Sequence, residues 1–287
     1  MTNKFNIAVL LPTRGRTDAL TQSVTSIVEL AADPSKLQLI LGFDNDDEVG
    51  LNHFTKVIQP FLEEHNITYE ALGFESLGYA GLNLYYNTMA QSADADWLFV
   101  WNDDAIMHTQ GWDLEIAKYT GQFKLLKLHT HNDHPYSIFP IVPWAWFDQF
   151  KHLSRHQMID AELSQMAFLL DLMEVIAVDV THEQSELTGN KDATSKKKVR
   201  FEGNPNNPHD FHNTIVTQQR MVDCEKIATH MKENNIDTTW WENVKTGKQY
   251  PWEKLAKLDV NKQMSQFKIK TNNQGHIVEY TKDDHEK

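Results

Sequence analysis

The chain has 287 residues, 40% hydrophobic and 10% aromatic, with a single cysteine and a formal net charge of −13. That length buries a sizeable core in one large domain, or in one domain plus an extension. One cysteine excludes an internal disulfide and a cysteine-built zinc site, and the negative charge excludes broad, non-specific nucleic-acid binding.

No apolar run approaches the ~20 residues needed to span a bilayer, and the first residues lead straight into a strand-like run. The sequence therefore predicts no signal peptide, no membrane span and a reducing, cytoplasmic setting.

Residues 7–11 form a short apolar run that ends in Pro12, Thr13, Arg14, Gly15 and Arg16. Thr17 is placed to cap a helix whose apolar face is Leu20, Val24, Ile27 and Val28. Residues 37–43 give a second buried strand, which stops on Asp44, Asn45, Asp46, Asp47 and Glu48. An amphipathic helix follows through Phe54, Val57, Ile58, Phe61 and Leu62, with Pro60 expected to kink or end it. Residues 67–72 make a third strand, and Gly78 to Gly81 open a helix to about Ser92.

The fourth strand carries the chemistry. Trp97 to Trp101 are five large apolar residues, as expected of a strand buried on both faces. They stop at once on Asn102, Asp103 and Asp104. Two acids beside a low-dielectric core repel each other unless a cation or hydrogen-bond donors compensate. A divalent metal carrying a phosphate is the simplest compensation, and a turn that caps the next segment is the plain alternative. Strand and helix alternate three times before this strand, which implies a mostly parallel, doubly wound sheet. The loops at Arg14, Asp44 and Asp103 each follow a strand and so fall on one sheet edge, where ligands bind in open α/β sheets.

The second half is less regular. Short strands are expected at 125–128 and 138–142, then the aromatic segment Pro143, Trp144, Trp146 and Phe147, a helix at 159–172 and a strand at 175–180 ending on Thr181 and His182. Residues 183–213 read as a long polar loop, 214–234 as a helix, and 236–287 as a C-terminal extension with a mobile tail.

In this order the pieces resemble a glycosyltransferase of the GT-A type, in the large inverting family-two-like group. The resemblance covers roughly residues 5 to 185. It rests on the opening strand with its Pro-Thr-Arg-Gly-Arg loop, the strand ending in Asp44, the acidic end at Asn102–Asp104 and the later features Gly111, Trp112 and Asp113, Asp160 and His182. It implies an α/β, GT-A-like (Rossmann-like), mostly parallel central sheet flanked by helices, with a C-terminal extension. The domain would span 1–235, its nucleotide-sugar half about 1–115 and its acceptor half about 116–235.

The resemblance also implies roles. Pro12, Thr13, Arg14, Arg16 and Asp44 match the nucleotide-contacting positions. Asn102, Asp103 and Asp104 match the Asp-x-Asp position, with Asn102 departing from the strict pattern. The last acid would then bind Mn²⁺ or Mg²⁺ and the earlier residues, Asn102 and Asp103, the ribose or a metal-bound water; which of Asp103 and Asp104 is the direct ligand stays open, and His182 matches a third metal ligand or a diphosphate contact. Asp160 matches the base that deprotonates the acceptor; otherwise it is a helix-start Asp satisfying exposed N–H groups. Trp144 and Trp146 would stack in the acceptor site or pack in the core.

Other clusters carry weaker signals. Asp46, Asp47 and Glu48 read as a solvated helix start, and His129, His131, His134 and Asp133 match no standard zinc spacing. Lys196 to Arg200 read as a solvated patch or as part of a lid over the donor's diphosphate.

The expected activity is transfer of a sugar from a nucleotide-diphosphate sugar to an acceptor hydroxyl, with inversion. A glycan, a small molecule or a hydroxylated base in nucleic acid all remain open as acceptor. A nucleotidyltransferase is disfavoured by a first loop poor in glycine, and a non-catalytic glycan- or nucleotide-binding module of the same fold by the intact acids.

Overall fold

The computed structural model describes residues 4–130, 136–182, 211, 213–249 and the backbone of 267–271 and 277–282. Its centre is an eight-stranded mixed sheet. Strands β1 (Phe5–Thr13), β2 (Leu37–Asp44), β3 (Thr68–Phe74) and β4 (Ala95–Val100) are mutually parallel in the order β3-β2-β1-β4. Helix α1 (Thr17–Leu30) joins β1 to β2. The next connection runs through α2 (Glu48–His53), a π-helical stretch at Phe54–Ile58 and α3 (Gln59–Glu64), and the third ends in α4 (Leu82–Gln91). This is the doubly wound half the sequence implies.

The alternation of side chains explains why these strands are apolar throughout. Ile7, Val9 and Leu11 of β1 join one core with Leu39, Leu41, Trp97, Phe99 and the α1 face. Ala8 and Leu10 join the other with Ile40, Leu98, Val100 and the α4 residues Tyr86 and Met89. A strand covered on both faces has no polar side, so successive positions go to opposite cores.

Pro60 does not end the helical run, which changes to a π stretch just before it. The Gln59 N–H bonds Phe54 O in the π turn, and Pro60 then sits in the first turn of α3, where a missing N–H is tolerated. Val57, expected on the buried face, is 41% exposed. Thr17 is the first residue of α1 rather than its cap; Arg16 holds the cap position.

Beyond β4 the sheet becomes mixed. Strands β5 (Ala105–Met107), β6 (Leu125–Thr130), β7 (Ile141–Pro143) and β8 (Met173–His182) continue it in the order β4-β7-β6-β8-β5. Only β6 and β8 are parallel there; β4–β7, β6–β7 and β5–β8 are antiparallel. Strand β5 is absent from the sequence expectation, being only three residues long. It pairs Ala105 with His182 and thereby sets His182 beside Asp104. Between these strands lie α5 (Trp112–Ala117), α6 (Trp144–Asp148) and α7 (Ile159–Leu170), the last ending at Asp171 in the left-handed region.

Helix α8 (Thr214–Glu233) packs on α7, with Cys224, Ile227, Ala228 and Met231 buried. Helix α9 (Thr239–Lys245), expected to begin an extension, also packs there: Trp241 is buried and Trp240 Nε1 donates to Phe168 O at 3.0 Å. Part of the expected mobile tail forms β10 (Ile277–Lys282), antiparallel to β9 (Phe267–Thr271). Trp252, His131, His134, Asp133 and the Lys196–Arg200 run lie outside the described residues. No helix among the described residues is long and apolar enough to cross a membrane.

Candidate functional site

Three strand ends converge on one edge of the sheet, and their loops are joined by charge. After β1, Arg14 bonds both Asp44 Oδ2 and Asp46 Oδ1 at 2.5 Å. Its second terminal nitrogen reaches Asp46 Oδ2 at 3.0 Å. Asp44 is buried at the end of β2, where the Tyr85 hydroxyl donates to its other oxygen and Ser76 Oγ to Oδ2 at 3.2 Å. Two more donors at a buried carboxylate keep it oriented, since each charge-assisted bond contributes about 1.5–3 kcal/mol. Burial and this bond push the Tyr85 phenol up to about 12, so it stays a donor.

Asp47 is not part of a solvated cluster. It is 7% exposed and caps α2 by accepting from Gly50 N at 3.0 Å. Its other oxygen accepts from Gly15 N at 2.8 Å, which ties the β1 loop to the β2 loop. Gly15 has φ +66°, the left-handed turn that separates Arg14 from Arg16 and sends them to different acids.

The end of β4 is anchored from both cores. Trp101 Nε1 donates to Ser23 Oγ of α1 at 2.7 Å, and Tyr86 of α4 bonds both Trp101 O and Asn102 Oδ1 at 2.7 Å. Asp103 is fully buried: Thr13 Oγ1 donates to its Oδ2 at 2.6 Å, Arg16 Nε reaches the same oxygen at 3.2 Å, and Arg16 Nη2 lies against Oδ1. Arg16 Nη1 bonds Asp104 Oδ2 at 3.0 Å, while Asp104 Oδ1 faces His182 Nε2 at 3.3 Å. Neither Asp103 Oδ1 nor Asp104 Oδ1 accepts an aligned hydrogen bond, although each has one of these partners beside it.

These environments split the two acids. Desolvation lifts Asp103 to about 6 against the pull of Arg16. Burial also opposes charge on Asp104, but the contact with His182 and the Arg16 charge outweigh it and hold Asp104 below the usual carboxylate range.

The donor chemistry at Asp104 and His182 fits a divalent cation: a hard carboxylate oxygen without an aligned donor stands next to an imidazole nitrogen. Asp103 does not complete a trio with them, because Thr13 and Arg16 already engage its oxygens. Among the described residues no group of three His, Cys, Asp or Glu side chains is placed to hold a metal ion.

Other candidates separate. Asp160, in the first turn of α7, is half-buried, and its charge reaches the phenols of both Tyr79 and Tyr86. Through Tyr86 it neighbours the β4 end. Trp146 is a correction: it is 0% exposed, its ring stacks on Phe123 at 5.6 Å, and it is core. In a five-residue helix only one face points inward, and Trp146 and Phe147 occupy it, leaving Trp144 half-buried under Lys151. Asp113 is structural as well, accepting from the Ala32 and Asp33 N–H groups at 2.7 and 2.9 Å. His129 pairs with Asp179 at 3.0 Å. Tyr85, Tyr86 and Ser76 are site residues that the sequence reading misses; the adjacent tyrosines at the start of a helix opened by glycines are the signal it had.

Comparison with solved structures identifies the fold of this architecture. The chain aligns with S. aureus TarS residues 1–349 bound to UDP-GlcNAc, at TM-score 0.55 and 10% identity, covering 76% of this chain and 66% of that one. It aligns with the mannosyltransferase PcManGT from Pyrobaculum calidifontis, bound to GDP-Man and Mn²⁺, at TM-score 0.51 and 9% identity, covering 91% and 84%. The fold is GT-A. In a longer TarS structure the matched part is only 37% of that chain. No family model and no curated protein sequence matches. At such identities the likeness concerns the GT-A fold alone; residue roles have to be argued from the geometry above.

Proposed function

We propose that this chain is a glycosyltransferase that moves a sugar from a nucleotide-diphosphate sugar onto an acceptor hydroxyl with inversion. The observation that carries the reading is the convergence of the β1, β2 and β4 ends into one network of Arg14, Arg16, Asp44, Asp103 and Asp104, on a GT-A fold. TarS with UDP-GlcNAc and PcManGT with GDP-Man and Mn²⁺ support a nucleotide-sugar as donor.

Asp44, oriented by Tyr85 and Ser76, offers acceptor oxygens to the hydroxyls or base N–H of a nucleoside. The Pro12–Arg16 loop lines the same edge, and its two arginines, paired with Asp44, Asp46, Asp103 and Asp104, would exchange those partners for the diphosphate. Asn102 accepts from Tyr86 through its Oδ1, so its NH₂ is the donor it would bring to the ligand. Asp104 and His182 would hold the divalent cation. Mn²⁺ or Mg²⁺ bound there would stabilise the negative charge that builds on the departing diphosphate.

Asp160, whose charge reaches the Tyr86 phenol as those of Asp103 and Asp104 do, acts as the base. Inversion is a single displacement at the anomeric carbon, so the acceptor proton has to leave on the face opposite the diphosphate. Burial and three surrounding carboxylates push the Tyr86 phenol well up, so it remains a neutral donor between the two acidic centres.

Thermal melting against UDP, GDP, CDP, ADP and dTDP, each with and without Mn²⁺, tests the donor half. Specific binding at 100 times Kd stabilises the fold by about 2.7 kcal/mol. A Mn²⁺-dependent rise with one nucleotide is expected; no rise with any of them overturns the reading.

A further inference from the structure

A cavity of about 370 Å³ lies between the start of α4, the segment before α7 and the start of α8, with Asn83, Leu84, Arg155, Gln157, Ile215 and Gln219 among its walls. Its volume is that of a small-molecule site, roughly 300–1,000 Å³. None of these residues belongs to the donor network.

The walls have a definite chemistry. Asn83 and Gln219 contribute amides from two elements, and each amide carries both donors and an acceptor. Arg155 is the one basic side chain with a standing charge in the lining, and its charge is spent on Asp223, with bonds of 2.9 and 3.2 Å. Leu84 and Ile215 are 50% and 63% exposed at the same place, a large apolar area for solvent-facing side chains. Paired amides beside exposed aliphatics suit a molecule with hydroxyls on its edge and C–H groups on its face. They do not suit a polyanion, which would need unpaired cations in a chain of charge −13.

The walls come close to Asp160 along the chain, although Asp160 is not itself one of them. Gln157 precedes it by three residues, and Ala80, another wall residue, follows Tyr79, whose phenol feels the Asp160 charge. We propose that this cavity is the acceptor subsite and that it takes a neutral saccharide, one of whose hydroxyls is presented to Asp160. The assignment rests on the glycosyltransfer reading above.

Saturation-transfer NMR with the methyl glycosides of glucose, galactose and mannose tests it on the full chain. The variants are Leu84→Trp, which lays an indole across the cavity mouth, and Asn83→Ala, which removes one amide. Both positions are at least partly exposed, and melting curves establish that each variant folds. At least one glycoside is expected to show saturation transfer in the parent chain. Each variant is expected to weaken it by at least about tenfold in Kd, the loss of one good contact.

Nucleotide-dependent melting of the parent separates the two ideas. If a nucleotide binds but no glycoside does, or if glycoside binding is unchanged in Leu84→Trp, the cavity assignment fails and the donor reading stands. If no nucleotide binds, both fall, whatever the glycosides do. Binding of an oligonucleotide bearing hydroxymethylcytosine, lost in Leu84→Trp, overturns the saccharide assignment in favour of a nucleic-acid acceptor.

Discussion

Arg16 is the counter-ion of Asp103: its Nε donates to Oδ2 at 3.2 Å and its Nη2 lies against Oδ1 of a carboxylate that is fully buried. The same guanidinium reaches Asp104. It therefore does for the two acids part of what a divalent cation would do, and on the function proposed above it would compete with the metal for Asp104.

Arg16→Met is expected to bind Mn²⁺ at least about tenfold more tightly than the parent when no nucleotide is present, a change of ~1.4 kcal/mol. Electron paramagnetic resonance of free Mn²⁺ during titration reads this directly. The variant should also lose ~3–5 kcal/mol of stability in chelator, since it leaves a buried charge unpaired, and regain part of it with Mn²⁺. Equal Mn²⁺ affinity in both proteins would mean that Arg16 and the metal do not share a site.

The Asp103 environment makes a pH prediction. Its folded value of about 6 stands above the ordinary 3.8. Between those values the folded chain keeps a proton that the unfolded chain has released, so this group's contribution falls as pH rises through the window and is constant above it. Asp104 shifts the other way, and its stabilising contribution is lost only as pH drops below the usual carboxylate range. Asp103→Asn removes the first effect alone. The stability difference between variant and parent should move in the variant's favour from pH 4 to pH 6, by roughly 2–3 kcal/mol at 1.36 kcal/mol per pKa unit. Urea melts across that range check it; a difference that does not change with pH refutes the buried-acid picture.

The sequence made the first half of the fold legible because that half is repetitive. β1, β2 and β4 are buried on both faces and read as unbroken apolar runs, and each stops on charged residues. Parallel order then puts Arg14, Asp44 and Asp103 on one edge without knowledge of any contact. What was not legible depended on distant partners. Asp47 looks like Asp46 in sequence, but one is buried under Gly15 and Gly50 and the other faces solvent with Arg14. β5 is too short to show a period, yet it sets His182 beside Asp104. Tyr85 and Tyr86 fall inside the helix predicted after Gly81, and only the fold shows their hydroxyls reaching Asp44 and Asn102.

The two tryptophans of α6 differ in the same way, and a pair of substitutions separates them. Trp146 is 0% exposed and stacked on Phe123, whereas Trp144 is half-buried. Trp146→Ala should cost about 3–5 kcal/mol, as for other large-to-small core changes, and Trp144→Ala clearly less. Chemical denaturation reads both. Comparable losses would put the two rings in one environment, against the packing of α6.

On the function proposed above, Asp160 is the residue on which the chemistry turns. Its half-buried place at the start of α7 also suits a carboxylate that only favours the exposed N–H groups of the first turn. Asp160→Asn tells these roles apart, because the amide keeps the size and loses the basicity. A base contributes roughly 10²–10⁴-fold to rate, so transfer should fall by that factor while the nucleotide-dependent rise in melting temperature is kept. A purely structural Asp160 would give the reverse: a lower melting temperature, by the fraction of a kcal/mol typical of an exposed helix-start charge, and nearly unchanged turnover. The anomeric configuration of the product, read by proton NMR before it can equilibrate, completes the test. Retention would exclude a single displacement with Asp160 as its base.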